Sequence, residues 1–281
     1  MLQNTFSHIP GIGEKTEQNI WASNILEWDD LENAEEAELP SAVRNKLPIM
    51  RPILKESRQH LRDNPRYFEK QLPAKLHWRL FPHFRGDTVY LDIETTGLDD
   101  HDEITTIALY DGREIQYFVS GDNLDKFPER IRPYKVLVTY NGKSFDLPFI
   151  ERFFGISLKE KAHIDLRHIL NSLGFKGGLK RCEKALGIDR GEVDGIDGYF
   201  AVLLWKEYRE TGDPRALETL LAYNIEDVVN LEILMVIAYN LKVEATPFSH
   251  EKSLPRPGQP ALPFMPDRET VERLRRRYYN F

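Results

Sequence analysis

The chain has 281 residues, enough to bury a substantial core as one large domain or two small ones. At 41% apolar and 30% charged, it has the composition of a soluble globular protein; this excludes a biased repeat, and no apolar run approaches the length that crosses a bilayer. A net charge of −7 argues against a uniformly cationic nucleic-acid binder, although steering depends on the local field rather than the total.

The start, "MLQNTFSHIPG", lacks the basic-then-apolar layout of a secretory signal. Cys182, the single cysteine, lies in the helix-like "LKRCEKALG" and can form no internal disulfide. Both readings point to the cytoplasm and to no membrane partner. In residues 1–30 a Pro-Gly-Ile-Gly turn precedes a helical pattern with Ile20 and Ile25 on its apolar side. The stretch "HIPGIGEKTEQNIW" is similar to the hairpin of a helix-hairpin-helix DNA-backbone binder. There Gly11 and Gly13 would let main-chain amides approach phosphate beside Lys15. Only seven residues precede His8, too few for a good first helix, so an ordinary turn packed on the rest of the chain is the competing reading. Residues 41–75 read as helical stretches broken by Pro48, Pro52, Pro65 and Pro73, and residues 1–86 as a helical N-terminal region.

From about residue 87 the pattern turns to strands. "TVYLDIET", "EITTIALYD", "EIQYFVS" and "KVLVTYNG" are β-branched or aromatic runs, with "DGRE" as a tight hairpin signal. After Gly142 helices dominate: "SFDLPFIERFFG", "KGGLKRCEKALG", "GYFAVLLWKEYRETG" and the long "PRALETLLAYNIEDVVNLEILMVIAYNL", with a short strand-like "AHIDL" after the first. The fold class is α/β, a mixed sheet flanked by helices, over residues 87–242. Residues 243–281 form a Pro-rich linker and a basic helix whose Val271, Leu274 and Tyr278 share a stripe.

Within "VYLDIETTGL" two acids, Asp92 and Glu94, alternate in a strand and so share one face. Like charges at that spacing repel unless a cation neutralises them. A lone Asp-x-Glu is a weak signal, but two further acids stand where a metal site would need them. Asp146 opens the helix after the second central strand, and Pro148 marks that helix's first turn. Tyr223 and Asp227, four apart, share a helical face with Leu220 and Leu231, while Glu226 turns towards solvent.

In this order, "LDIETTGL", "TYNGKSFDLPFI" and "YNIEDV" resemble the three motifs of the DEDD exonuclease superfamily in its tyrosine-containing branch, a family of ribonuclease-H-like fold. The runs "HIDLRHIL", "GGLKRCEKALGI" and "DGYFAVLLWKEY" look most like the YprB-type bacterial branch. The resemblance implies a 3′-5′ exonuclease using two Mg2+ or Mn2+ ions held by Asp92, Glu94, Asp146 and Asp227, with Tyr223 orienting the attacking water. It implies a nucleic-acid partner, DNA or RNA, with a single-stranded 3′ end. Thr95, Thr96, Gly97 and Leu98 would meet the terminal nucleotide. Asn141 and Lys143 would touch phosphate, as would Lys176, Lys180 and Arg181 around the glycines at a helix start. Asp165 reads as a structural hydrogen-bonding group, and the eight histidines form no zinc set. The alternative is a catalytically inactive nucleic-acid-binding protein that retains the fold.

Overall fold

The computed structural model describes residues 1–99, 101–188 and 198–278; Asp197 of the "DGYF" run and the end of the C-terminal tail, 279–281, lie outside the described residues. Five strands form one sheet: β1 (Thr88–Thr95), β2 (Ile104–Tyr110), β3 (Ile115–Val119), β4 (Val136–Thr139) and β5 (Ala162–Asp165). Their order is β3-β2-β1-β4-β5. The hairpin-linked strands β1, β2 and β3 pair antiparallel, while β1 with β4 and β4 with β5 pair parallel, across helical connections. The α/β mixed sheet expected from the strand and helix runs is therefore the architecture.

Strand alternation splits the core in two. Val89, Leu91, Ile93, Ile107, Leu109 and Leu137 face one layer, closed by Phe149 and Ile150 of the helix Asp146–Phe154. Tyr90, Ala108, Tyr110, Val136 and Val138 face the other, against the long helix Pro214–Glu244. That second layer also holds Phe6, Trp21, Trp28 and Phe68, so the N-terminal helical region shares a core with the sheet.

Asp213 caps the long helix by accepting from the Arg215 amide, and Pro214 fits its first turn, where no intrahelical donor is needed. In the N-terminal region Pro48 and Pro65 likewise occupy first-turn positions, but the helix Leu47–His60 runs through Pro52, where the sequence predicts a break. Early in the helix, that proline forgoes the single bond its amide would have made to the Pro48 carbonyl, and burial of Leu47, Met50 and Leu54 offsets the loss. Among the described residues no helix is long and apolar enough to cross a membrane.

Candidate active site

Asp92 and Glu94 extend from β1 on the face that carries the long helix, while Ile93 between them points into the opposite layer. The ladder with β2 pairs Asp92 with Ala108 and Glu94 with Thr106, then shifts register between Glu94 and Thr95. Such a bulge bends the strand end away from its partner. Asp227 comes from the long helix. One oxygen each from Asp92, Glu94 and Asp227 lie within 4.8 Å of one another, with Glu94 and Asp227 buried and Asp92 partly exposed.

Asp146 stands outside this tight trio but at the same strand end. β4 stops at Thr139, and its register with β1 ends at Tyr90, leaving the following β1 amides without a strand on that side. The Ile93 amide donates instead to Asp146 Oδ1 at 3.3 Å. Asp146 is buried at the start of its helix. Burial pushes its carboxyl up to about 7 against the pull of backbone hydrogen bonds, including that from Ile93. Burial, then the charges of Asp146, Asp227 and Glu94, hold Asp92 well above the usual carboxylate range. A site that concentrates so much negative charge on hard oxygen donors fits divalent magnesium or manganese, and suits zinc poorly.

A residue the sequence reading passed over completes the cluster. The Asn224 amide donates to Asp92 Oδ2 at 2.7 Å, and its carbonyl oxygen accepts from Thr106 Oγ1 at 3.1 Å. Asn224 and Thr106 are both fully buried, so this bridge fixes the Asp92 carboxylate against the sheet. The available signal was an Asn three residues before Asp227, hence on the same side of the helix. Tyr223 is buried one turn before Asp227, and the Lys180 ammonium lies 4.5 Å from the centre of its ring.

The other expected contact residues form four groups. Thr95, Thr96, Gly97 and Leu98 make the turn at the acid end of β1. Thr95 Oγ1 donates to the Gly97 carbonyl at 2.6 Å, and Thr96 Oγ1 to Asp102 Oδ1 at 2.8 Å. A Cβ on Gly97 would lie 2.5 Å from Asp102 Oδ2, so any side chain there would push the Asp102 carboxylate out of its present place. Leu98 projects into solvent, 83% exposed. Asn141 and Lys143 lie in the turn between β4 and Asp146. Asn141 adopts a left-handed φ of 67°, and Asp165 holds the turn by accepting from the Asn141 and Lys143 amides at 2.8 and 3.3 Å. Asp165 also caps the next helix through the Arg167 amide, which is a structural role.

Lys176 and Arg181 are exposed beside Gly177, whose carbonyl accepts from Tyr140, and Gly178 caps the helix Leu179–Ala185. Gly11, Gly13 and Lys15 belong to a different surface, where the Gly11 carbonyl accepts from Lys46 Nζ at 2.6 Å. Ahead of that turn stands one turn of 3-10 helix, Leu2–Asn4, rather than a full first helix. Behind it Glu17 is clasped by Arg79 through two 2.7 Å bonds.

The matched sequence covers this whole site. RNase_H_2, a family of the RNase_H superfamily, matches residues 89–239, more than half of the chain, and the chain belongs to that family. This membership supports a nuclease-type activity. Among curated relatives, the uncharacterized protein YprB of Bacillus subtilis (strain 168) is 28% identical over 175 residues, 54% of this chain and 42% of that protein. The chain thus spans less than half the length of that relative. Among solved structures, the family B DNA polymerase from the hyperthermophilic archaeon Pyrobaculum calidifontis matches at 18% identity and a TM-score of 0.42. The match covers 58% of this chain and 26% of that one.

Proposed function

We propose that the chain is a divalent-metal-dependent 3′-5′ exonuclease acting on nucleic-acid phosphodiester bonds. The observation that carries this reading is the meeting of Asp92, Glu94 and Asp227 within 4.8 Å, from a strand and a helix more than a hundred residues apart. Asp92, Glu94 and Asp227 would hold the metal, and Asp146 would add a fourth carboxylate. When bound, two Mg2+ or Mn2+ ions supply charge stabilisation at the phosphoryl group and acidify a water. Tyr223 orients the attacking water by hydrogen bonding. Its phenol offers a hydroxyl that can donate and accept, so its role is to orient the water rather than to act as the base. The water oxygen joins phosphorus, the P–O3′ bond breaks, and the departing 3′ oxygen takes the proton.

In this reading residues 87–242 carry the chemistry in a cytoplasmic protein, flanked by 1–86 and 243–281. The turn from Thr95 to Leu98 receives the 3′-terminal nucleotide of a single strand, and Asn141, Lys143, Lys176, Lys180 and Arg181 approach its phosphates. The intact acid set supports catalysis over a non-catalytic binding role.

The test is purified protein with 5′-labelled DNA and RNA oligonucleotides in Mg2+, Mn2+ or chelator. The reading expects a ladder of products shortened one nucleotide at a time from the 3′ end, abolished by chelator. Intact oligonucleotides in both metals, or cleavage unaffected by chelator, would refute it.

A further inference from the structure

A second feature lies next to the helix that carries Asp146 and, apart from Lys143, uses residues not assigned above. Between the helix Pro65–Gln71 of the N-terminal region and the start of the helix Asp146–Phe154 runs a groove of about 540 Å³. Leu147 and Pro148, which directly follow Asp146 in the chain, line it.

Its walls are basic in a protein of net charge −7. Arg66 and Lys70 stand on the N-terminal side, and Lys143, Lys159 and Lys161 on the other, against Glu69 and Glu151. Several of these charges are already committed. Glu69 is buried and pairs with Arg66 and, at 3.8 Å, with Lys143 Nζ, so it offsets part of the charge of those two cations. Lys161 donates to the Arg132 and Tyr134 carbonyls. Lys70 and Lys159 stand exposed on opposite walls, facing whatever occupies the groove. A concave surface with cations on both sides concentrates field for a polyanion, whatever the net charge of the whole chain.

A second observation points to an occupant. His163, 5% exposed, lines the same groove. Its Nε2 lies 2.9 Å from Thr139 Oγ1, while its Nδ1 is buried with no partner among the described residues. A buried polar atom left unmatched at a groove wall asks for a polar ligand or an ordered water.

We propose that this groove binds the sugar–phosphate backbone of the substrate strand, carrying it past the Asp146 end of the acid site between the N-terminal helices and the sheet domain. This rests on the nuclease reading for the strand's destination. It also gives the N-terminal region a task that the catalytic residues do not perform.

The experiment measures binding without cleavage. Fluorescence anisotropy with a 5′-labelled oligothymidylate of about 20 nucleotides is recorded on the full chain, with Ca2+ in place of Mg2+, across a salt series. Lys70→Glu/Lys159→Glu is expected to weaken binding at least about tenfold. It should also flatten the log–log salt slope by about 0.7 for each phosphate of a single strand that the protein no longer neutralises. Lys70→Arg/Lys159→Arg, which keeps the charge, is expected to retain affinity, and matched thermal melts establish that all forms are folded. An unchanged Kd and salt slope in the Glu variant would overturn the proposal, as would a wild type that does not bind the oligonucleotide. A wild type that binds through this groove but never cleaves would refute the nuclease reading alone.

Discussion

Replacing Asp146 with Asn should make the metal-free protein more stable at alkaline pH. Asn keeps an oxygen to accept from the Ile93 amide, 3.3 Å away, and removes a buried charge. In the unfolded chain the carboxyl titrates near 3.8, and in the fold it is pushed up to about 7. Below the first value both states are protonated and ionisation costs nothing. Between the two the unfolded state loses its proton while the folded state keeps it, so stability falls as pH rises. Above the second value the whole penalty is present. At about 1.4 kcal/mol per unit, a rise of about three units corresponds to an upper figure on the order of 4 kcal/mol, reduced by relaxation of the site. Urea unfolding followed by circular dichroism in chelator, at pH 4 and pH 8, reads the difference. The variant should gain little at pH 4 and on the order of 2–4 kcal/mol at pH 8. An equal effect at both pH values, or a variant less stable at pH 8, would refute the electrostatic argument.

Other substitutions separate roles within the site and its frame. Asn224→Ala removes the bridge from Thr106 to Asp92 and should weaken Mn2+ affinity by about 10- to 100-fold in calorimetry, as loss of a group supporting a metal ligand does; unchanged affinity would remove Asn224 from the site. Tyr223→Phe should leave metal and oligonucleotide binding intact and lower kcat by about 10²-fold, and full-speed turnover would contradict the water-orienting role. Arg79→Met leaves the Glu17 carboxylate buried without its bidentate partner and should cost about 3–5 kcal/mol in urea unfolding, whereas a loss below about 1 kcal/mol would mean the pair contributes little to docking the N-terminal segment.

What could be read from the chain followed from periodicity. Asp92 and Glu94 announced their shared face through the two-residue repeat of a strand, and Tyr223 and Asp227 theirs through the four-residue step of a helix. The β5 strand and the Pro214 helix start were equally local. Asn224 escaped because, one residue after Tyr223, its position on the helical wheel turns it away from that side chain. Its three-residue spacing to Asp227 stood in the sequence, but its tie to Asp92, 132 positions away, becomes visible only when helix and sheet are packed.

The same holds for charges whose partners are remote. Glu17 finds Arg79 across 62 positions. In the basic C-terminal helix Val271 and Leu274 are buried as the stripe suggested, but Tyr278 remains 37% exposed. There Arg273 and Arg277 are paired with Glu207, a partner that no spacing rule points to. The groove at Glu69 and Lys143 likewise arises from segments that share no pattern in the sequence.

The most direct measurement of the central claim is anomalous diffraction from crystals of the protein soaked in Mn2+ with a nucleoside 5′-monophosphate. Two manganese peaks about 3.5–4 Å apart, bracketed by Asp92, Glu94 and Asp227 with Asp146 reaching the second through water, are the predicted result. Absence of manganese from this cluster at saturating concentration, or ions bound only at other surfaces, would contradict it.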